Sequence, residues 1–260
     1  MSNILAIAQK ELRSYFVSPI ANVVIGLFAV LFGVFFVSSL SFLLRISLQA
    51  GMMEGAPPIN INEYMIRPLL GNTGVIMLFV LPMITMRSYA EEKRSGTIEL
   101  LLSSPLTDFQ IILGKFFGAL SLFILMLAVT GIHISFLFWH GDPGRGPELA
   151  PILSGYLGLF LMGASFISIG LLISSATKNQ VVAGMVTFAV LLLFWVISWL
   201  GDPSGGSTTS QVLAYLSVLD HFDDFSKGVI DTSHLTYYLS FISFGLFLTA
   251  KSVDSERWRG

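Results

Sequence analysis

The sequence predicts an all-α, polytopic membrane protein with six transmembrane helices. Composition is the first reason: 54% of the 260 residues are hydrophobic and only 12% charged, with 22 phenylalanines, which excludes an ordinary soluble domain. The second is run length, since several apolar stretches reach the roughly 20 residues that cross a hydrocarbon core about 30 Å thick. The third is where the charge sits, because one long charge-bearing stretch, Arg87 to Ala119, is wedged between apolar runs. The chain has no cysteine, which removes disulfides, thiolate zinc sites, iron–sulfur clusters and cysteine nucleophiles. No basic patch points to nucleic acid, and a net charge of -2 says little about partners.

Residues 1–18 read as an N-terminal interfacial helix. Leu5, Ala8, Leu12 and Phe16 fall on one face and Gln9, Lys10, Arg13 and Ser14 on another, a basic amphipathic pattern. Pro19 then favours a change of direction. It is not read as a signal peptide, because charged residues enter the helical pattern and no small-residue cleavage site follows. Residues 19–260 are read as a single six-span domain. The first span is predicted over 20–44, followed by an exterior loop. The second is predicted over 69–87, with Pro82 inside it, where a freed carbonyl bends a helix unless neighbours satisfy it.

Between the second and third spans the chain should form a cytoplasmic elbow, its segment between the membrane helices covering 90–105. Gly96 interrupts the helix leaving the membrane, and Thr97 to Ser104 follow as a short helix with Ile98, Leu101 and Leu102 on one face. Pro105 stops it. Thr107 and Gln110 have capping-box spacing, so a new helix should start there. Leucines left in water would forfeit about 1.5 to 3 kcal/mol each, so this ridge should lie on lipid headgroups or on a protein.

The third span is predicted over 111–138, opening with Gly114 and Gly118 at close-packing spacing. The fourth is predicted over 152–175, with Gly163 and Gly170 two turns apart on one face. The fifth, over 181–200, ends in Trp195 and Trp199. An outer segment, 205–235, is too polar to span but carries enough apolar residues to rest on or dip into the outer leaflet. The sixth span is predicted over 236–250. With the N-terminus inside, ten of the fourteen Lys and Arg face the cytoplasm and four, Arg45, Arg67, Arg145 and Lys227, face out. The positive-inside rule therefore puts both termini in the cytoplasm.

The ordered run Glu91-Glu92-Lys93-Arg94-Ser95-Gly96-Thr97-Ile98-Glu99, then Leu101 to Pro105, then Gly114-Lys115, resembles the coupling-helix signature of ATP-binding-cassette permeases of the type-2 export class. The resemblance implies that Glu91, Glu92, Gly96, Thr97, Ile98, Glu99, Leu101, Leu102 and Pro105 dock in a cleft of a separate ATPase subunit. It also implies a second permease copy or paralogue, and re-entrant helices before the last span. The stretch from Leu219 to Phe241 is more narrowly similar to permeases of gliding motility and nitrous oxide reductase maturation, which implies periplasmic or membrane auxiliary subunits. Location follows as a bacterial cytoplasmic membrane.

The expected function is ATP-driven export. The alternative is a mechanotransmission subunit that passes ATPase-driven motion to a periplasmic partner. The chain itself should not be an enzyme. Its one Gly-Lys pair, Gly114-Lys115, lacks the glycine five positions earlier that a phosphate-binding loop needs, so ATP and Mg belong to the partner and no cofactor or metal is expected here. Ser165 and His133 form a serine–histidine dyad only on paper, with no oxyanion-hole motif beside them. Apart from His133, ionisable groups in the predicted spans are nearly absent, which argues against ion-coupled transport.

Overall fold

The structure, a computed structural model, describes residues 2–52, 59–140, 146–200 and 208–257. It is all-helical among the described residues. Helix α1 is Ser2–Val17, α2 Ile20–Gly51, α3 Arg67–Thr85, α4 Ala90–Ser95 and α5 Ile98–Leu102. They are followed by α6 Asp108–His140, α7 Leu149–Ala176, α8 Gln180–Leu200, α9 Thr208–Leu216, α10 Val218–Ser226 and α11 Thr232–Arg257. One π-helical turn, Asn62–Ile66, leads into α3.

Helix α7 is the centre of the bundle. Its small residues let neighbours come close enough that a Cβ on Gly163 would collide with the Phe123 ring of α6, and one on Gly170 with the Thr85 side chain of α3. Gly158 likewise lies under Phe225 of α10. In its most apolar window 78% of α7 is buried, against 28% for α2 and 17% for α8. Those two helices turn most of their Val, Leu and Met outward, Val30, Val34 and Met185 among them, leaving broad apolar faces for lipid or another protein.

Among the described residues, five stretches are long and apolar enough to cross a membrane: Ile20–Gly51, Asn62–Ser95, Asp108–Trp139, Leu149–Ala176 and Gln180–Trp199. Most of these helices run several residues past the expected span limits, because a helix continues into the interface while its backbone bonds stay intact. The expected sixth span lies inside α11, which is less apolar, being interrupted by residues such as Ser240, Ser243 and Thr249. Even so, α11 traverses the bundle. Near its start the Tyr238 hydroxyl donates to the Val218 carbonyl of α10 at 2.8 Å, and at its end Glu256 pairs with Lys93 of α4 at 2.6 Å.

Two elements flank the bundle, the N-terminal helix and the outer segment before α11. Helix α1 buries Ile7, Ala8, Glu11 and Tyr15, whereas Leu5 and Phe16 are exposed. Its packed face is fixed by α6, where Gly114 and Gly118 leave room for Ile7 and Glu11; a Cβ there would come within 2.5 and 2.6 Å of them. The expected outer segment becomes α9 and α10, joined at Ser217, whose hydroxyl accepts from the Asp220 amide at 3.2 Å as an N-cap. Residues 205–207 of that segment, with Arg145 and Arg259, lie outside the described residues.

Candidate functional site: the elbow between α3 and α6

Helix α3 ends one turn beyond Pro82, and the chain turns through residues 86–89 into α4. The first amides of a helix have no partner of their own, and Tyr89 supplies no cap here. Ser174 of α7 supplies it from across the bundle: its hydroxyl oxygen accepts from the Tyr89 and Ala90 amides at 3.1 and 3.2 Å and donates to the Met86 carbonyl at 3.1 Å. One side chain thus ties the elbow to the central helix.

Gly96 stops α4 in the left-handed region, φ 73°, which favours glycine, and reverses the chain into α5. After Pro105 the capping box forms as the spacing indicates. Thr107 Oγ1 accepts from the Gln110 amide, and Gln110 Oε1 from the Thr107 amide, both at 3.3 Å.

Beneath α4 lies a buried charge cluster. Lys115, 1% exposed on α6, reaches Glu92 Oε1 at 2.9 Å, Glu11 Oε1 at 3.1 Å and the Ser88 carbonyl at 2.7 Å, and sits 5.0 Å from the Tyr89 ring centre. Lys10 adds a contact of 3.3 Å to Glu92. Burial works against the Lys10 charge, but Glu92 and Glu11 outweigh it and its pKa is raised. Two lysines and two carboxylates therefore neutralise one another between α1, α4 and α6. Alongside, Arg87 grips Glu91 with two nitrogens, at 2.7 and 3.0 Å, and donates to Ser18 Oγ at 3.0 Å. Lys93, also buried, holds Glu256.

The residues expected to dock therefore divide. Glu91 and Glu92 are engaged within the chain. Ile98 and Leu101 turn partly inward against the core, while Gly96, Thr97, Glu99 and Pro105 are exposed. The Leu102 side chain lies outside the described residues. Among the described side chains of the elbow, the outward apolar ones are Leu100, 73% exposed, and Phe109, 66% exposed. Sequence reasoning missed Phe109, Ser174 and the burial of Lys115. The signal for Lys115 was a lone ammonium in the second turn of an apolar helix, which needs partners.

Elsewhere the polar groups of the spans serve packing. Ser165 Oγ donates to the Leu161 carbonyl at 3.0 Å, and His133 Nδ1 lies 3.3 Å from the Val129 carbonyl with its ring edge-on to Phe32 and Phe36. Each of the two bonds into its own helix.

An all-helical, multi-span bundle with an exposed elbow tied to its inner helices is the architecture of a membrane permease domain. Residues 5–250 match the family described as ABC-2 family transporter protein, and the chain belongs to that family. Among similar proteins, a probable multidrug ABC transporter permease of Escherichia coli (strain K12), YbhR, is 27% identical over 194 residues, covering 70% of this chain and 51% of its own length. A second from the same organism, YbhS, named likewise, is 33% identical over 141 residues, covering 52% of this chain and 34% of its own. The chain thus spans about half the length of YbhR.

Proposed function

We propose that this chain is the permease subunit of an ATP-binding-cassette type-2 exporter in a bacterial cytoplasmic membrane. In this reading α11 is the sixth span and both termini are cytoplasmic. A separate ATPase subunit carries ATP and Mg and docks on the elbow, and a second permease copy or paralogue completes the pathway against the apolar faces of α2 and α8. The observation that carries the reading is the elbow itself. Its outer surface presents Leu100, Glu99 and Phe109, while its inner surface is bonded to α1, α6, α7 and α11 through Lys115, Ser174 and Lys93. A push on the outside is handed to four helices at once.

At the far end lies an open groove of about 670 Å³, walled by Tyr64, Arg67, Trp199, Asp220 and Phe222 among others, which leaves export and mechanotransmission both compatible with the fold. The permease names of YbhR and YbhS agree with transport. The narrower likeness to gliding-motility permeases, and with it auxiliary subunits, rests on the stretch from Leu219 to Phe241 alone.

Purification of the tagged chain from its native membrane in mild detergent tests this. A stoichiometric ABC ATPase should accompany the native chain. The double variant Leu100→Asp, Phe109→Asp should lose the ATPase while remaining in the membrane at native level. Undiminished retention by the double variant would remove the elbow as the docking surface.

A further inference from the structure

At the end of the bundle away from the elbow, two histidines face each other. His221 of α10, 6% exposed, and His234 in the first turn of α11 have their Nδ1 atoms 2.6 Å apart. Both remaining nitrogens face acceptors: His221 Nε2 lies 3.0 Å from the Tyr215 carbonyl of α9, and His234 Nε2 lies 2.9 Å from Asp224 Oδ2. A carbonyl and a carboxylate can only accept, so each Nε2 must carry a hydrogen. If both rings were neutral, both Nδ1 atoms would be bare and two lone pairs would meet at 2.6 Å. If both were charged, two N–H groups would meet instead. One proton between the Nδ1 atoms is the arrangement that satisfies all four nitrogens.

We infer that His221 and His234 form a proton-binding site, holding one shared proton and a total charge of +1, which clasps α10 to α11. The separation suits a proton and not a metal ion, since tetrahedral zinc would hold two imidazole nitrogens roughly 3.3 Å apart. The charge is answered by Asp224, which Lys227 also contacts at 3.3 Å. Asp223 is occupied by Arg67 of α3 and by Lys227. Asp220 is the other acid beside His221, and Asp231 the other beside His234. Tyr237 stacks on the His221 ring at 3.8 Å, with Tyr238 edge-on at 6.4 Å. The α7 residues under α10, Ser154, Gly155 and Gly158, carry no charge.

The two rings have different environments. Burial lowers the His221 pKa, the Tyr215 carbonyl opposing and the neighbouring His234 adding to the effect. The bond from His234 holds the Asp224 carboxyl below its ordinary range. The Asp224 carboxylate stands against His234 and only a backbone carbonyl against His221, so the counter-charge lies on the His234 side of the shared proton. The inference is independent of the ATPase and of export.

The sign of its pH dependence follows from counting protons. The closed clasp holds one. Two free histidines with pKa near 6.5 hold fewer than one above that pH and more than one below it. The clasp is therefore tightest near pH 6.5 and weakens in both directions, with opening favoured roughly eightfold at pH 8 and again at pH 5.

The test is hydrogen–deuterium exchange of the full-length chain in lipid nanodiscs, read on peptides covering 208–240 between pH 5 and 8 after correction for intrinsic exchange. Protection should peak near pH 6.5 and fall roughly eightfold on each side. His234→Gln should abolish the peak. Asp224→Asn, which keeps an acceptor but removes the counter-charge, weakens the closed pair's hold on its proton and should shrink the loss on the alkaline side well below eightfold. A flat native profile, or one that neither variant alters, overturns the shared proton. So does a native peak that EDTA removes, because a bridging metal would then hold the pair.

Discussion

Lys115 sits where an unpaired ammonium could not be held, and its three polar contacts are what make the position possible. Breaking a buried pair by removing one partner costs about 3–5 kcal/mol, because the other charge is left stranded. Lys115→Met should therefore lower the melting temperature of the detergent-solubilised chain well beyond a surface control, and adding Glu92→Gln should recover part of the loss. An unchanged melt would mean that Glu11 and Glu92 find other partners. Ser174→Ala removes the shared acceptor of two buried amides, each costing about 1–3 kcal/mol when unsatisfied. Exchange of the Tyr89 and Ala90 amides should accelerate at least roughly tenfold, and equal rates would place their acceptors elsewhere. These residues also mark how far the sequence could be read. The Thr107–Gln110 box was legible because its partners are three residues apart. Ser174 and Tyr89 are 85 apart, and no local pattern connects them.

At the scale of an element, what was legible depended on whether tertiary packing overrode the local pattern. The break at Gly96 follows from backbone sterics and was visible in the sequence, as was the stop at Pro105. The buried face of α1 was not. Amphipathic spacing marks Leu5, Ala8, Leu12 and Phe16 as the apolar face, and it gives no sign that the groove over Gly114 and Gly118 and the reach of Lys115 to Glu11 turn Ile7 and Tyr15 toward the protein. The α1–α6 contact is then open to a direct test. Gly118→Leu drives a side chain into the Glu11 stem, where even a Cβ would lie 2.6 Å away, and overpacking costs about 1–3 kcal/mol. Limited proteolysis should cut α1 from the Gly118→Leu variant faster than from the native chain, while Gly131→Leu, at an open position on the same helix, should not. Equal cutting of the two variants would show that α1 does not depend on this groove.

For the whole molecule, the proposed docking raises the question of how motion at the elbow would reach α9 and α10 at the opposite end. Helix α7 is the direct route, since it touches both. Its Ser174 holds the elbow, and its Ser154 donates to the Phe225 carbonyl of α10 at 2.8 Å. Packed interiors transmit displacement because they do not deform continuously, and α7 is the most buried of the five apolar spans. Docking and transmission should therefore separate by mutation. In the assembled complex, trapping the ATPase with vanadate should change exchange in the α9–α10 peptides. The Leu100→Asp, Phe109→Asp variant should lose this response along with the ATPase. Ser174→Val, which leaves the outer face of the elbow intact, should keep the ATPase bound and active yet blunt the far-end response. A full response in Ser174→Val would route the motion through α11 instead, and Lys93→Met, which releases Glu256, would then be the variant that suppresses it.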